Sequence, residues 1–469
     1  QVVLDSLKRL NPDDRPRSPA ESLGRMDIPD DLTLELAVGE PAVRQPLSMK
    51  WDALGRLWVL QYLQYPDPAG LKMVSRDKYL RAVYDKVPPP PPHHFPGRDK
   101  VTIHEDTNGD GRYDQHKTFV EGLSLATSFA IGRGGVFVLN PPYLLFYPDR
   151  DRDDVPDSDP QVLLEGFGLE DSHSIANSLQ WGPDGWLYGC QGSTVSAAIR
   201  KYGSQDPPVR SLGQLIWRYH PESQRYEIFA EGGGNSFGLE IDSKGRVYSG
   251  HNGGNTRGFH YVQGGYFQKG FGKHGQLSNP YAFGYFPWMT HHAVQRFTHV
   301  FVIYEGGALP ANYHGKLFGV GPLQGHVVYS QVEPQGSSFQ TRDLGHPLKS
   351  RDPWCRPVDI KVGPDGALYV ADLYEQRIDH ASHYQGRIHR ETGRIYRLRG
   401  KTAGRPTIPG IALLDSQALV GLLADAHPNK WVRQTILRVL ADRRDRSIVP
   451  QLMEILAERT GQASLDALW

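Results

Sequence analysis

Cysteine is nearly absent. Cys190 and Cys355 are the two in 469 residues, which excludes a disulfide framework. One bridge between them and two buried thiols both remain open. No CxxCH or CxxC pair occurs, so the chain attaches no c-type haem of its own. Net charge is also missing, since 52 Lys+Arg meet 52 Asp+Glu. A nucleic-acid or anionic-membrane surface needs a basic excess, and this chain has none. No apolar run reaches 18 residues, which excludes a transmembrane helix. No basic-then-apolar leader is present. The P-loop, the GxGxxG turn after a strand and the GxSxG elbow are absent as well.

Glycine and proline are what the chain has in excess. The 51 Gly and 36 Pro stand well above the ordinary ~12% share of the two together. Such a chain makes many tight turns, which favours strands over helices. One pattern recurs between residues 31 and 400: an apolar strand, a Gly-containing turn and a second apolar strand. Its copies are WDALGRLWVL (51–60), IGRGGVFVLN (131–140), WGPDGWLYGC (181–190), IDSKGRVYSG (241–250) and VGPDGALYVA (361–370), with a looser one at KLFGVGPLQGHVVYS (316–330). Each reads as a β-hairpin. Six hairpins at blade-like intervals predict an all-β, six-bladed β-propeller. LTLELAVG (32–39) and GRIYRLRG (393–400) are expected to close the ring together.

Four segments fall outside that pattern. Residues 1–30 read as an extended polar arm. Residues 71–87 (LKMVSRDKYLRAVYDKV) look helical, and the five prolines at 88–92 predict polyproline II. The Gly-, His- and aromatic-rich stretch 252–300 reads as a long functional loop. After a linker at 401–410, residues 411–469 carry apolar residues at helical spacing, which predicts a partial HEAT-like repeat. A lone repeat caps itself poorly, so a longer natural chain is expected.

Several clusters carry chemistry. Asp106, Asn108, Asp110, Arg112 and Asp114, with Gly111 at the turn, repeat the first half of an EF-hand-type calcium loop. Asp149, Asp151, Asp153 and Asp157 make a second copy without the glycine. Calcium held in either loop would be structural. Asp171 and His173 lie directly before a hairpin, where a carboxylate can orient an imidazole that acts as general base. Asn235 follows a run of three glycines, and His251, Asn255 and Arg257 follow the next hairpin. Together with Arg356, they could hold hydroxyls or a carboxylate. Tyr281, Phe283, Tyr285 and Trp288 offer aromatic faces of the kind that stack on sugar rings.

At these residues the chain resembles the bacterial "membrane-bound dehydrogenase" family, in which a propeller is often followed by HEAT repeats and a c-type cytochrome domain. The marks are HEDTNGDGRYD, PPYLLFYPDRDRDD, GFGLEDSHSIANSLQWGPDGWLYG, EGGGNSFGLE, NGGNTRGFHYVQGGY, NPYAFGYFP and RPVDIKVGPDGALYVAD. Through a remote likeness to soluble quinoprotein sugar dehydrogenases, the resemblance implies pyrroloquinoline quinone (PQQ) and calcium at the channel mouth. It makes His173 the base, and Asn235 and Arg356 cofactor contacts. Gly234, Gln324 and Val358 stand where that group carries cations. The expected function is oxidation of a sugar or small polyol in the periplasm or outside the cell, with a separate c-type cytochrome as acceptor. Two alternatives stand beside it: a redox-free carbohydrate lyase or hydrolase in the same cleft with His173 and Tyr281 as acid and base, and a glycan- or protein-binding propeller without catalysis.

Overall fold

The protein is described by a computed structural model that covers residues 14–269, 276–295, 298–380, 382–385, 388–404 and 410–469. Residues 1–13 of the expected arm and 405–409 of the expected linker lie outside this set.

The chain is mostly β and takes a propeller arrangement. Sheet 1 holds strands Pro46–Trp51, Leu57–Gln61, Asp99–Glu105 and Gln115–Leu123, from the inside outward. Sheet 2 begins with Ser128–Ile131, Gly135–Asn140, Tyr143–Pro148 and Gln161–Phe167. Sheet 3 begins with Asn177–Trp181, Leu187–Gln191, Leu215–His220 and Arg225–Gly233. Sheet 4 has three strands, Leu239–Ile241, Val247–Ser249 and Phe259–Tyr261. Sheet 5 runs from Phe301–Ile303 through Leu317–Gly321 and His326–Gln335 to Ser338–Ser350. Sheet 6 runs from Pro357–Val362 through Leu368–Asp372 and Arg394–Gly400 to Leu32–Gly39. Five of these sheets thus have four or more strands.

The first and last strands of this series pair antiparallel, from Leu32 opposite Gly400 to Gly39 opposite Arg394. This closure buries the edges that an open sheet would leave exposed. The second strands of the sheets are buried on both faces, so they read as continuous apolar runs such as LWVLQ and GVFVLN rather than as alternation. Trp217 of sheet 3 is fully buried and packs at 5.3 Å from Phe167 of sheet 2, joining neighbouring sheets.

A shared turn explains the repeated hairpin. Asp52 accepts the N–H of Leu54 and Arg56 and the Nε of Arg56, at 2.9, 3.0 and 2.7 Å. Asp242 repeats this with Lys244 and Arg246. Gly55 and Gly245 take φ of 86° and 74°, a conformation that costs a Cβ-bearing residue strain. Residues 73–84 use the same turn: Asp77 accepts from Tyr79, from the Arg81 N–H and from Arg81 Nε, with Leu80 at φ 66° in the glycine position. This segment is therefore a hairpin, Met73–Arg76 paired with Ala82–Tyr84, and not the expected helix. The proline run turns at Pro91–Pro92 instead of continuing as a straight spacer.

Two further expectations need revision. The loose repeat at 316–330 is the second and third strand of sheet 5, because Phe301–Ile303 supplies its inner edge. The stretch after residue 252 is only partly loop. Phe259–Tyr261 completes sheet 4, and Gly265–Lys269 then crosses to pair parallel with Arg225–Gly233 of sheet 3. Sheet 4 stops at three strands because the chain leaves it there. Cys190 and Cys355 are both buried and free.

Helices α1 (Pro19–Leu23) and α2 (Ser382–Gln385) lie within the propeller part of the chain. Ser18 caps α1 in a capping box, so the arm is not wholly extended. Helices α3 (Ser416–Ala424), α4 (Lys430–Arg443), α5 (Val449–Glu458) and α6 (Gln462–Leu468) follow the last sheet and pack on one another. Helix α4 lies across one end of the axial channel. Its N-cap Asn429 donates to the carbonyls of Gly363 and Pro364, both at 2.9 Å. Arg133 pairs with Asp442 at 2.8 Å, and Arg438 donates to the Ile131 carbonyl at 2.7 Å. Lys430 is buried against Glu240 and donates to the Ile303 carbonyl at 3.0 Å. Breaking such a buried pair from one side leaves an uncompensated charge. Lys430→Ala is expected to lower the unfolding free energy by about 3–5 kcal/mol, with part of the loss recovered in Lys430→Ala/Glu240→Ala. Chemical denaturation checks both.

Candidate active site at the channel mouth

In a propeller whose inner strands run the same way, the loop leading into each inner strand and the loop after the second strand open at one end. Asp171 and His173 lie in the loop from Gly168 to Ala176, between the outer strand of sheet 2 and the inner strand of sheet 3. Tyr65 follows the second strand of sheet 1, Thr194 that of sheet 3, and His380 and His383 that of sheet 6. These residues meet.

Asp171 is the hub, only 4% exposed. One oxygen lies 3.1 Å from His173 Nδ1 and 3.0 Å from the His173 backbone N–H. The other accepts the Thr194 hydroxyl at 2.6 Å and the Ser174 hydroxyl at 3.3 Å. His380 Nε2 lies 3.3 Å away. On the far side of the ring, His173 Nε2 meets the Tyr65 hydroxyl at 2.5 Å. Rings of His380 and His383 sit 4.6 and 5.9 Å from that of His173. His383 in turn bonds Asp67 at 2.7 Å. Arg390 grips the Tyr65 loop through the carbonyls of Leu63 and Tyr65, at 2.7 and 2.9 Å.

Electrostatics assign the protons. Burial opposes the Asp171 charge, but the hydrogen bonds from His173 and His380 outweigh it and hold the carboxyl well below its ordinary range. Burial likewise lowers His173, against the pull of Asp171, so the imidazole is neutral near pH 7. Burial raises Tyr65 well above the usual phenol value. The arrangement is a neutral base, a protonated hydroxyl beside it and a fixed carboxylate behind. With Nδ1 donating to Asp171, Nε2 is left as the acceptor.

The other expected site residues are dispersed. Asn235 is near, its side chain donating to the His173 carbonyl at 3.4 Å and accepting from the Ser193 N–H at 2.6 Å. His251 packs where a side chain at position 234 would have to go, since a Cβ there would lie 1.5 Å from its Nδ1. Asn255 is exposed. Arg257 is buried and committed to Asp343 and to Thr298, at 3.0 and 2.9 Å. Arg356 gives its guanidinium to the carbonyls of Pro322, Pro353, Cys355 and Gln376. Tyr281 is 75% exposed and lies against Gly264 at the outer side of sheet 3, apart from His173. Tyr65 takes the place expected of it.

These residues do not fit PQQ. Its three carboxylates call for cationic partners, yet both arginines are spent within the protein and His251 fills the space beside Gly234. In the first acidic loop, Asp106, Asn108 and Asp110 turn their oxygens onto the N–H groups of Asp110, Gly111 and Arg112, and Asp114 accepts from Thr107. Arg112 offers no oxygen from its side chain. In the second loop, oxygens of Asp149, Asp151 and Asp153 lie within 4.8 Å of one another, and Asp157 accepts from the Arg150 N–H at 3.1 Å.

Fold and site together define a β-propeller with a histidine-centred acid–base cluster at one channel mouth. The chain belongs to the family described as Domain of unknown function (DUF7133), which matches residues 18–402. No curated protein matches it. Among solved structures it is similar to a luciferin-regenerating enzyme at 11% identity, over 80% of this chain and 98% of that one, with a TM-score of 0.42. It is similar to the PQQ-bound aldose sugar dehydrogenase of Streptomyces coelicolor at 13% identity, over 80% and 99% of the two chains, with a TM-score of 0.39. The PQQ domain of pyranose dehydrogenase from Coprinopsis cinerea is similar at 12% identity, over 83% and 98%, with a TM-score of 0.42. Likeness at this level assigns no role to any residue here. Among the described residues, no helix is long and apolar enough to cross a membrane.

Sequence reasoning missed Tyr65, Thr194, His380 and His383. The two histidines follow the last hairpin three residues apart, in DHASH, which was a usable signal. A pH effect follows. The folded site refuses a proton that the unfolded His173 accepts below about pH 6.5, so stability falls as pH drops through that range. His173→Gln should flatten the decline in unfolding free energy between pH 7 and pH 5 relative to wild type, as read by denaturant titration.

Proposed function

We propose that the chain is an exported carbohydrate-active enzyme working by proton transfer without a redox cofactor. His173 is the base, Asp171 its orienting partner and Tyr65 the acid. The observation that carries this reading is the 2.5 Å contact between the Tyr65 hydroxyl and His173 Nε2, with Asp171 fixed behind the ring. In an elimination, His173 takes a proton from the carbon beside a carboxylate or carbonyl. The C–O bond on the neighbouring carbon breaks as the C=C bond forms, and Tyr65 protonates the leaving oxygen. The imidazolium then returns its proton to Tyr65 through their hydrogen bond, which restores both groups and leaves an unsaturated sugar. Hydrolysis would use the same pair, with water as the group deprotonated.

The exposed aromatic row, with Tyr281 75%, Phe283 70% and Tyr285 59% exposed, lies apart from His173 and is read as a second face on which a longer sugar chain stacks. We read the ring as six-bladed, counting three-stranded sheet 4 as a blade whose outer strand has crossed to sheet 3. Support for this is that the inner strands of sheets 1 to 6 neighbour one another in turn and sheet 6 adjoins sheet 1. The second acidic loop is the place we assign to a structural calcium ion, and the helical tail is read as HEAT-like.

Uronate-containing oligosaccharides should gain unsaturated or new reducing ends on incubation with the chain. Dye reduction with sugars, PQQ and calcium should stay at background. His173→Ala and Tyr65→Phe should each lower the rate by about a hundredfold or more. Dye reduction that requires PQQ would contradict the reading.

A further inference from the structure

Two cavities follow one another along the propeller axis and share Lys50, Gln180 and Lys361. The larger, of about 160 Å³, lies under helix α4. The smaller, of about 90 Å³, reaches Ser172 beside the histidine cluster. Near α4 the charges are settled, with Lys430 held by Glu240 and Arg133 by Asp442. Around Lys50 they are not. The two linings together carry five cations, Lys50, Arg133, Lys361, Lys430 and Arg438, against three carboxylates, Glu240, Asp442 and Asp359, the last 3.3 Å from Lys361. That carboxylate already accepts the N–H groups of Met49 and Ile360, at 3.0 and 2.9 Å. Arg438 spends one N–H on the Ile131 carbonyl. The Lys50 side chain makes no hydrogen bond or ion pair among the described residues.

Five cations facing three carboxylates inside a protein are costly, because ammonium and guanidinium groups lose hydration there without each gaining a partner. A dianion would balance the excess and supply the missing acceptors. A cavity of about 160 Å³ has room for a tetrahedral oxyanion and water, a water molecule taking ~30 Å³. We propose that the channel binds a small doubly charged oxyanion of the phosphate or sulfate class between Lys50, Lys361 and Arg438. Burial together with the neighbouring Lys361 pushes the Lys50 ammonium down to about 7, against the pull of Asp359. This site is independent of the proton-transfer reading, since no residue of the histidine cluster binds the anion.

Calorimetric titration of inorganic sulfate into the full chain, in zwitterionic buffer at pH 7, tests it. Saturable binding of one sulfate per chain is expected. Lys50→Met and Lys361→Met should each weaken it at least tenfold, and Lys50→Met should raise the thermal midpoint in sulfate-free buffer by removing the unpaired charge. Should Lys50→Met fail to fold, as judged by circular dichroism, Lys361→Met decides. Absence of saturable binding to the wild-type chain, or unchanged affinity in the folded variants, overturns the proposal.

Discussion

A buried carboxylate sets the terms for this site. Asp171 accepts from the His173 ring and backbone and from the hydroxyls of Thr194 and Ser174, with His380 alongside. Each donor removes part of the cost of keeping the charge away from water, and losing one would leave the rest bearing it. Asp171 therefore fixes the tautomer of His173 and the approach of sheet 6 to sheets 2 and 3. The neutral imidazole and the protonated Tyr65 follow from the same burial, which disfavours charge on each.

This cluster depends on closure of the ring. His380 comes from sheet 6 and Tyr65 from sheet 1, and they meet His173 because the Leu32–Gly39 strand completes sheet 6 next to sheet 1. Helix α4 covers the opposite end of the channel, and its anchors are specific: Asn429 to sheet 6, Lys430 to sheets 4 and 5, Arg438 and Asp442 to sheet 2. Entry to the axial cavities is thereby biased toward the histidine side. The helical tail thus acts on the propeller as a plug.

Much of the architecture was legible because its causes are local. The Asp-x-x-x-Arg turn with glycine at its fourth position writes itself into WDALGR and IDSKGR, and the strands that close the ring are apolar and terminal. The hairpin at 73–84 escaped notice because Leu80 stands where glycine usually does, leaving a string that reads as helix. The site was legible only in part. Asp171 and His173 are two residues apart, so their pairing shows in the sequence. Tyr65 and His380 are 108 and 207 residues from His173, and only the closed ring brings them together. Arg257 and Arg356 misled for the converse reason. Arg257 in its glycine-rich segment suggests an anion and Arg356 is matched by resemblance, while their actual partners, Asp343 for the first and four main-chain carbonyls for the second, are set by tertiary contacts no local pattern encodes.

The central claim is that His173 is a neutral imidazole whose Nδ1 donates to Asp171 and whose Nε2 is the acceptor. Nitrogen-15 chemical shifts of the His173 ring at pH 7 test this most directly. The account predicts a protonated Nδ1 and an unprotonated, hydrogen-bonded Nε2. Protons on both nitrogens, or on Nε2 alone, would contradict it.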